Sequence, residues 1–129
     1  DAAGAAQAFA DLLPDTERIL GPDHPNTLTT RHNLASWQGE AGDAAGAAQA
    51  FADLLPDTER ILGPDHPNTL TTRHGLASWL GKAGDVTGAA RAFAELLNDQ
   101  VRVLGPDHPD TLTTRHDLAF WQKELRDDG

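Results

Sequence analysis

The chain repeats itself. Aligned on itself at an offset of 42 residues, it matches Asp1 with Asp43 and Asp85, and every later position follows without a gap. Units 1–42 and 43–84 differ only at Asn33 against Gly75, Gln38 against Leu80 and Glu40 against Lys82, whereas unit 85–126 departs from both at 14 positions. A polar tail, 127–129, closes the sequence. A fixed period between about 20 and 50 residues is the mark of a solenoid, in which supersecondary units stack and share one continuous core. With 129 residues so divided, the chain reads as a single domain, 1–129, with no second globular unit beside it.

Within each unit the apolar spacing is helical. "DAAGAAQAFADLLPDTERIL" sets Ala5, Phe9, Leu12 and Leu13 three and four apart behind Asp1, which is placed to cap the first turn. "PNTLTTRHNLASWQGEA" carries Leu28, Leu34, Ala35 and Trp37 to one side of a second helix. Nothing has the period-2 alternation of a strand. Naming these helices B and A, the expectation is all-α: six helices in B-A-B-A-B-A order, paired as antiparallel hairpins by short links such as Ala41-Gly42-Asp43. Pro14 and Pro56 fall inside helix B, where a proline costs roughly 3 kcal/mol, so a kink or break is expected there. Asn98 holds that position in the third unit, whose B helix should be straighter.

The string "GPDHP" recurs at 21–25, 63–67 and 105–109, an Asp-His pair in triplicate. Each of its residues has a backbone task. Gly21 suits a left-handed stop for helix B, Pro22 prevents its continuation, and Pro25 favours the first position of helix A with His24 as N-cap. Asp23 then lies near the positive helix end, where it is expected to accept a backbone N–H. A metal or acid/base role lacks a convergent third group.

The other recurring polar residues read in the same structural way. His32, His74 and His116 form a ladder on helices roughly 8–10 Å apart, too far for neighbours to share a zinc ion, and are expected to bond between helices or line a groove. Arg31, Arg73 and Arg115 should pair with carboxylates on neighbouring helices, and Trp37, Trp79 and Trp121 should be core. "GLASWLGKA" has the wrong glycine spacing and the wrong ending for a phosphate loop. There is no Gly-x-Ser-x-Gly, no His-Glu-x-x-His and no Cys, so neither an enzyme nor a metal or cofactor site is expected.

Charge narrows the partners. Twenty acidic against 10 basic side chains give a net charge of −10, which disfavours nucleic acid and anionic membranes and favours a basic peptide or protein. No apolar run approaches the roughly 20 residues needed to span a bilayer, and no leader opens the chain, so a cytoplasmic location is expected.

Small residues at Ala35 and Ala47, an aromatic at Phe51, Gly42 between helices and the frame "LGPDHPNTLTTRHNLA" together resemble tetratricopeptide repeats. The 42-residue period is similar to the kinesin light chain type and to the arrays that end large actinobacterial signalling ATPases. The resemblance implies a right-handed superhelix whose concave face, lined by the A helices, holds a peptide or a partner helix. Carried over position by position, the implied groove residues are Thr29, His32, Asn33, Ser36 and Glu40, then Thr71, His74, Gly75, Ser78 and Lys82, then Thr113, His116, Asp117, Phe120 and Glu124. The paired asparagines of the kinesin light chain pattern are replaced here by His32-Asn33, His74-Gly75 and His116-Asp117. Only Lys82 and Lys123 stand as candidates for a carboxylate clamp. The function so implied is a non-enzymatic interaction scaffold. Its alternatives are an idealised repeat that self-associates end to end, because the chain opens with a B helix and closes with an A helix, and, more remotely, a metal-dependent hydrolase built on the Asp-His pairs.

Overall fold

Each helix starts and stops on residues that satisfy its own backbone. The computed structural model describes residues 1–128 and resolves them into six helices: α1 (Ala2–Leu20), α2 (Pro25–Glu40), α3 (Ala44–Leu62), α4 (Pro67–Lys82), α5 (Val86–Leu104) and α6 (Pro109–Asp128). The carboxylates of Asp1, Asp43 and Asp85 accept the amides of Gly4, Gly46 and Gly88, capping the odd-numbered helices. At α2, α4 and α6 the cap is histidine: Nδ1 of His24, His66 and His108 accepts the amide two residues on at 3.0, 3.0 and 3.1 Å. Helix α6 runs on through Asp127, expected as tail; Gly129 lies outside the described residues.

Three local expectations need correction. Helices α1 and α3 are not broken at Pro14 or Pro56; both span 19 residues, as α5 does with Asn98 in that place. Pro14 and Pro56 are exposed, as are Ala10 and Ala52 four residues back, so the carbonyls that the missing N–H groups leave unpaired belong to solvent-exposed residues. Gly21, Gly63 and Gly105 have positive φ (91°, 95° and 98°), but with ψ of 158°, 154° and 156° they are not left-handed helical. They sit in an extended region that only glycine enters readily, which turns the chain out of one helix and toward the next. Asp23 does not cap α2; its carboxylate reaches Arg60 in the following unit at 3.0 Å.

The core is built at the joints between units. Phe51 and Leu54 of α3 pack with Leu28 and Ala35 of α2 and with Trp79 of α4; Phe93 and Leu96 of α5 meet Leu70 and Ala77 of α4 one joint later. Every helix packs on its sequence neighbour, and α2 touches α4 as α4 touches α6, whereas the odd-numbered helices do not meet one another. The result is an α-solenoid with the even-numbered A helices side by side on one face. Trp79 lies over Gly39 and Trp121 over Gly81 so closely that any Cβ at either glycine would run into the ring.

Candidate functional site

Where consecutive A helices lie side by side, the surface dips into two clefts. The first, about 120 Å³, is lined by Pro25, Leu28, Thr29 and His32 of α2, Thr58 and Leu62 of α3, and Asn68, Thr71 and Thr72 of α4. The second, about 310 Å³, uses the corresponding residues one unit on, Pro67, Leu70, Thr71, His74, Gln100, Leu104, Asp110 and Thr113, with His108 in place of the equivalent of Thr72. Thr71 belongs to both, so the clefts adjoin along the face. Thr29, Thr71 and Thr113 donate their hydroxyls to the carbonyls of Pro25, Pro67 and Pro109, which leaves each oxygen able to accept from a ligand.

His32 and His74 of the histidine ladder border these clefts and are held from behind by phenylalanines. His32 meets Phe51 edge-on with ring centres 5.0 Å apart, and His74 meets Phe93 in the same way at 5.2 Å. His74 Nε2 lies 2.7 Å from Asp117 Oδ2 on the next A helix. His32 faces Gly75 at the equivalent position and has no such partner, and burial pushes its pKa below the usual 6.5. Gly75 is a packing position, because a Cβ there would stand 2.8 Å from the Phe51 ring.

Arginines join the units beside this face. Arg31 bonds Asp57 at 2.7 Å, Arg60 spans Asp57 and Asp23, and the pattern recurs with Arg73 on Asp99 at 2.6 Å and Arg102 spanning Asp99 and Asp65. Arg31, assisted by Arg60, holds the Asp57 carboxyl below its ordinary range; Arg73 and Arg102 do so for Asp99, and Arg102 for Asp65. The "GPDHP" aspartates Asp23 and Asp65 are thus inter-unit ties, and their histidine neighbours are caps. Among the described residues no group of three His, Asp or Glu side chains could hold a metal ion, and no helix is long and apolar enough to cross a membrane.

Of the residues implied for the groove, the clefts bring together Thr29, His32, Thr71, His74 and Thr113. Asn33, Ser36, Ser78 and Glu124 are half-buried on the A helices outside the clefts, as is Asp117, which is committed to His74. Glu40, His116 and Phe120 are exposed, and exposed Lys82 lies 4.4 Å above the Trp79 ring. Trp79 is core, whereas Trp37 is 38% exposed. Sequence reasoning missed the cleft floor, Thr58 and Gln100, and the rim pair Asn68 and Asp110. The signal was present: Gln100 and Asp110 are two of the 14 positions at which the third unit departs from the others.

A family model described as tetratricopeptide repeat matches residues 27–68 and again 69–110, each window covering an A helix and the B helix after it. Two crystal structures of a kinesin light chain candidate from Podosopora anserina with nearly identical TPR-like repeats, one a single-residue variant, align with a TM-score of 0.85. Identity is 23% over 93% of this chain and 57% of theirs, so the chain spans little more than half their length and the likeness concerns the fold alone. No curated protein matches the sequence.

Proposed function

Because the chain belongs to the tetratricopeptide repeat family, we propose that residues 1–129 act as one non-enzymatic solenoid domain that holds a peptide or partner helix along the face of α2, α4 and α6. The fold generally mediates protein–protein interaction. The finer assignment rests on one observation: two clefts in the same register adjoin at Thr71 on that face. A ligand crossing from one A helix to the next meets the same set of acceptor hydroxyls and apolar walls at each step, which suits an extended chain better than a compact small molecule. A net charge of −10 favours basic ligands. The test is to select peptides on the purified protein from a random display library and measure their affinity by calorimetry for the wild type, Thr71→Arg and Asp53→Arg. Thr71→Arg, which fills both clefts at an exposed position, should abolish binding, and Asp53→Arg on α3 should preserve it. Equal binding to Thr71→Arg and wild type would remove the A-helix face as the site.

Self-association is the second reading, favoured by partly complementary surfaces on α1 and α6. Arg31–Asp57 and Arg73–Asp99 are full ties, whereas Asp15 pairs only within its own helix with Arg18, at 3.5 Å, and Arg115 has no ion-pair partner among the described residues. Leu112 is 42% exposed where its equivalent Leu70 is 2% exposed. Lys123, however, stands in the register of Gly39 and Gly81, where a following tryptophan would pack. The stacked contact should therefore be weak and should tighten in Lys123→Gly. A monomeric mass for both proteins by sedimentation at high concentration would dismiss it.

A further inference from the structure

The two clefts match in position but not in chemistry. The floor of the first is Thr58, whose hydroxyl is satisfied by the Leu54 carbonyl at 3.0 Å, and its rim is the neutral Asn68. In the second the same places hold Gln100 and Asp110. Gln100 is only 3% exposed, lines the cleft, and keeps its Oε1 buried without a hydrogen-bond partner. A buried acceptor left unmade is a rarity in folded proteins and points to a donor arriving from outside. Thr71 and Thr113 add two more oxygens able to accept, and Asp110 adds a negative charge at the mouth. Leu70 and Leu104 form apolar walls beneath that charge.

We propose that the second cleft is a subsite for a basic side chain, lysine or arginine, of the peptide held on this face; the proposal rests on the scaffold function given above. The alkyl stem lies on Leu70 and Leu104, and the cationic head donates to Gln100 Oε1 and the threonine oxygens while Asp110 supplies the counter-charge. The first cleft shares the leucine walls and threonine hydroxyls, but with a satisfied floor, no charge on its rim and less than half the volume it lacks both the unpaired acceptor and the counter-charge. The face therefore has polarity along its length, and a bound peptide has its direction set by where its basic residue falls.

Titration of the ¹⁵N-labelled full chain with n-butylammonium and n-butylguanidinium chloride, and with sodium butyrate as the opposite charge, tests this directly. The basic probes should shift the Gln100 side-chain amide and the backbone of Asp110 and Thr113, and leave Thr29 and Thr58 in place. Gln100→Thr combined with Asp110→Asn installs residues that the first cleft already carries, so folding is preserved, and it should weaken the response about tenfold. The reciprocal Thr58→Gln with Asn68→Asp should transfer the response to the first cleft. Equal shifts in both clefts, an unchanged affinity in the double variant, or an equal response to butyrate would overturn the proposal. Should library-selected peptides be lost with Thr71→Arg yet bind the Gln100/Asp110 double variant at full strength, the scaffold function stands and the basic subsite falls. If the basic probes titrate the second cleft while no selected peptide depends on Thr71, the subsite stands and the scaffold assignment falls.

Discussion

Helices α1 and α3 have the same 19 residues, letter for letter, and live in different surroundings. Helix α3 lies between α2 and α4 and buries Ala47, Ala48, Phe51, Leu54 and Thr58; α1 has α2 alone and buries none of the equivalents. Leu54 is 1% exposed and Leu12 is 48% exposed. Both are helices, so sequence settles local conformation through capping and propensity. Burial is conferred by the neighbour on the far side, as expected where stability is a sum of nearest-neighbour terms. Phe51→Ala should therefore lower the unfolding free energy by about 3–5 kcal/mol, the range for emptying a full aromatic site, and Phe9→Ala by less than half of that. Denaturant unfolding of the two variants makes the comparison, and equal losses would mean that α1 is as well supported as α3.

A second contrast lies between the A helices. A glycine inside a helix is ordinarily improved by alanine by roughly 1 kcal/mol. At Gly39 the sign should reverse, because the added methyl runs into the Trp79 ring, and overpacking of this kind costs about 1–3 kcal/mol. Lys123→Ala, in the same register on α6, should stay within about 0.5 kcal/mol of the wild type. A stabilised Gly39→Ala protein would show that the joint between the first two units is looser than Trp79 over Gly39 implies.

What the sequence disclosed follows from how local each cause is. The capping aspartates, His24 at the N-cap, Pro25 after it and Gly21 at the stop all act within a few residues, and all are legible in one unit read alone. Arg31 on Asp57 follows from stacking the units. Asp23 misled because its local option, a helix N-terminus, competes with Arg60 37 residues later, and the charged bidentate partner wins. Pro14 and Pro56 did not end their helices: each stands at an exposed position within a continuous 19-residue helix. Gln100 was visible only as one substitution among many; that it forms the floor of a cleft, with an unpaired oxygen, depends on the packing of three helices at once.

The smallest effect carries the contrast between α1 and α3 into electrostatics. Asp57 of α3 is tied to Arg31 of the preceding helix and to Arg60, whereas Asp15, its twin in α1, has only exposed Arg18 one turn on. Arg31's hydrogen bond holds the folded Asp57 below the 3.8 of an ordinary aspartate and outweighs the opposing push of burial, with Arg60 adding to it. An acid whose folded pKa is depressed contributes stability that is fully present above the unfolded value and disappears as pH falls through the folded one. The Asp57 contribution is therefore intact at neutral pH, begins to fall near 3.8 and is lost as pH drops through the lower folded value. At pH 7 Asp57→Asn should cost about 0.2–1 kcal/mol and Asp15→Asn less, as befits partly exposed ion pairs. As pH falls from 3.8 through the depressed folded pKa, the gap between the Asp57→Asn protein and the wild type should narrow steadily. A gap that persists in acid would mean that Asp57 acts through packing or a neutral hydrogen bond, and that the tie between units does not depend on its charge.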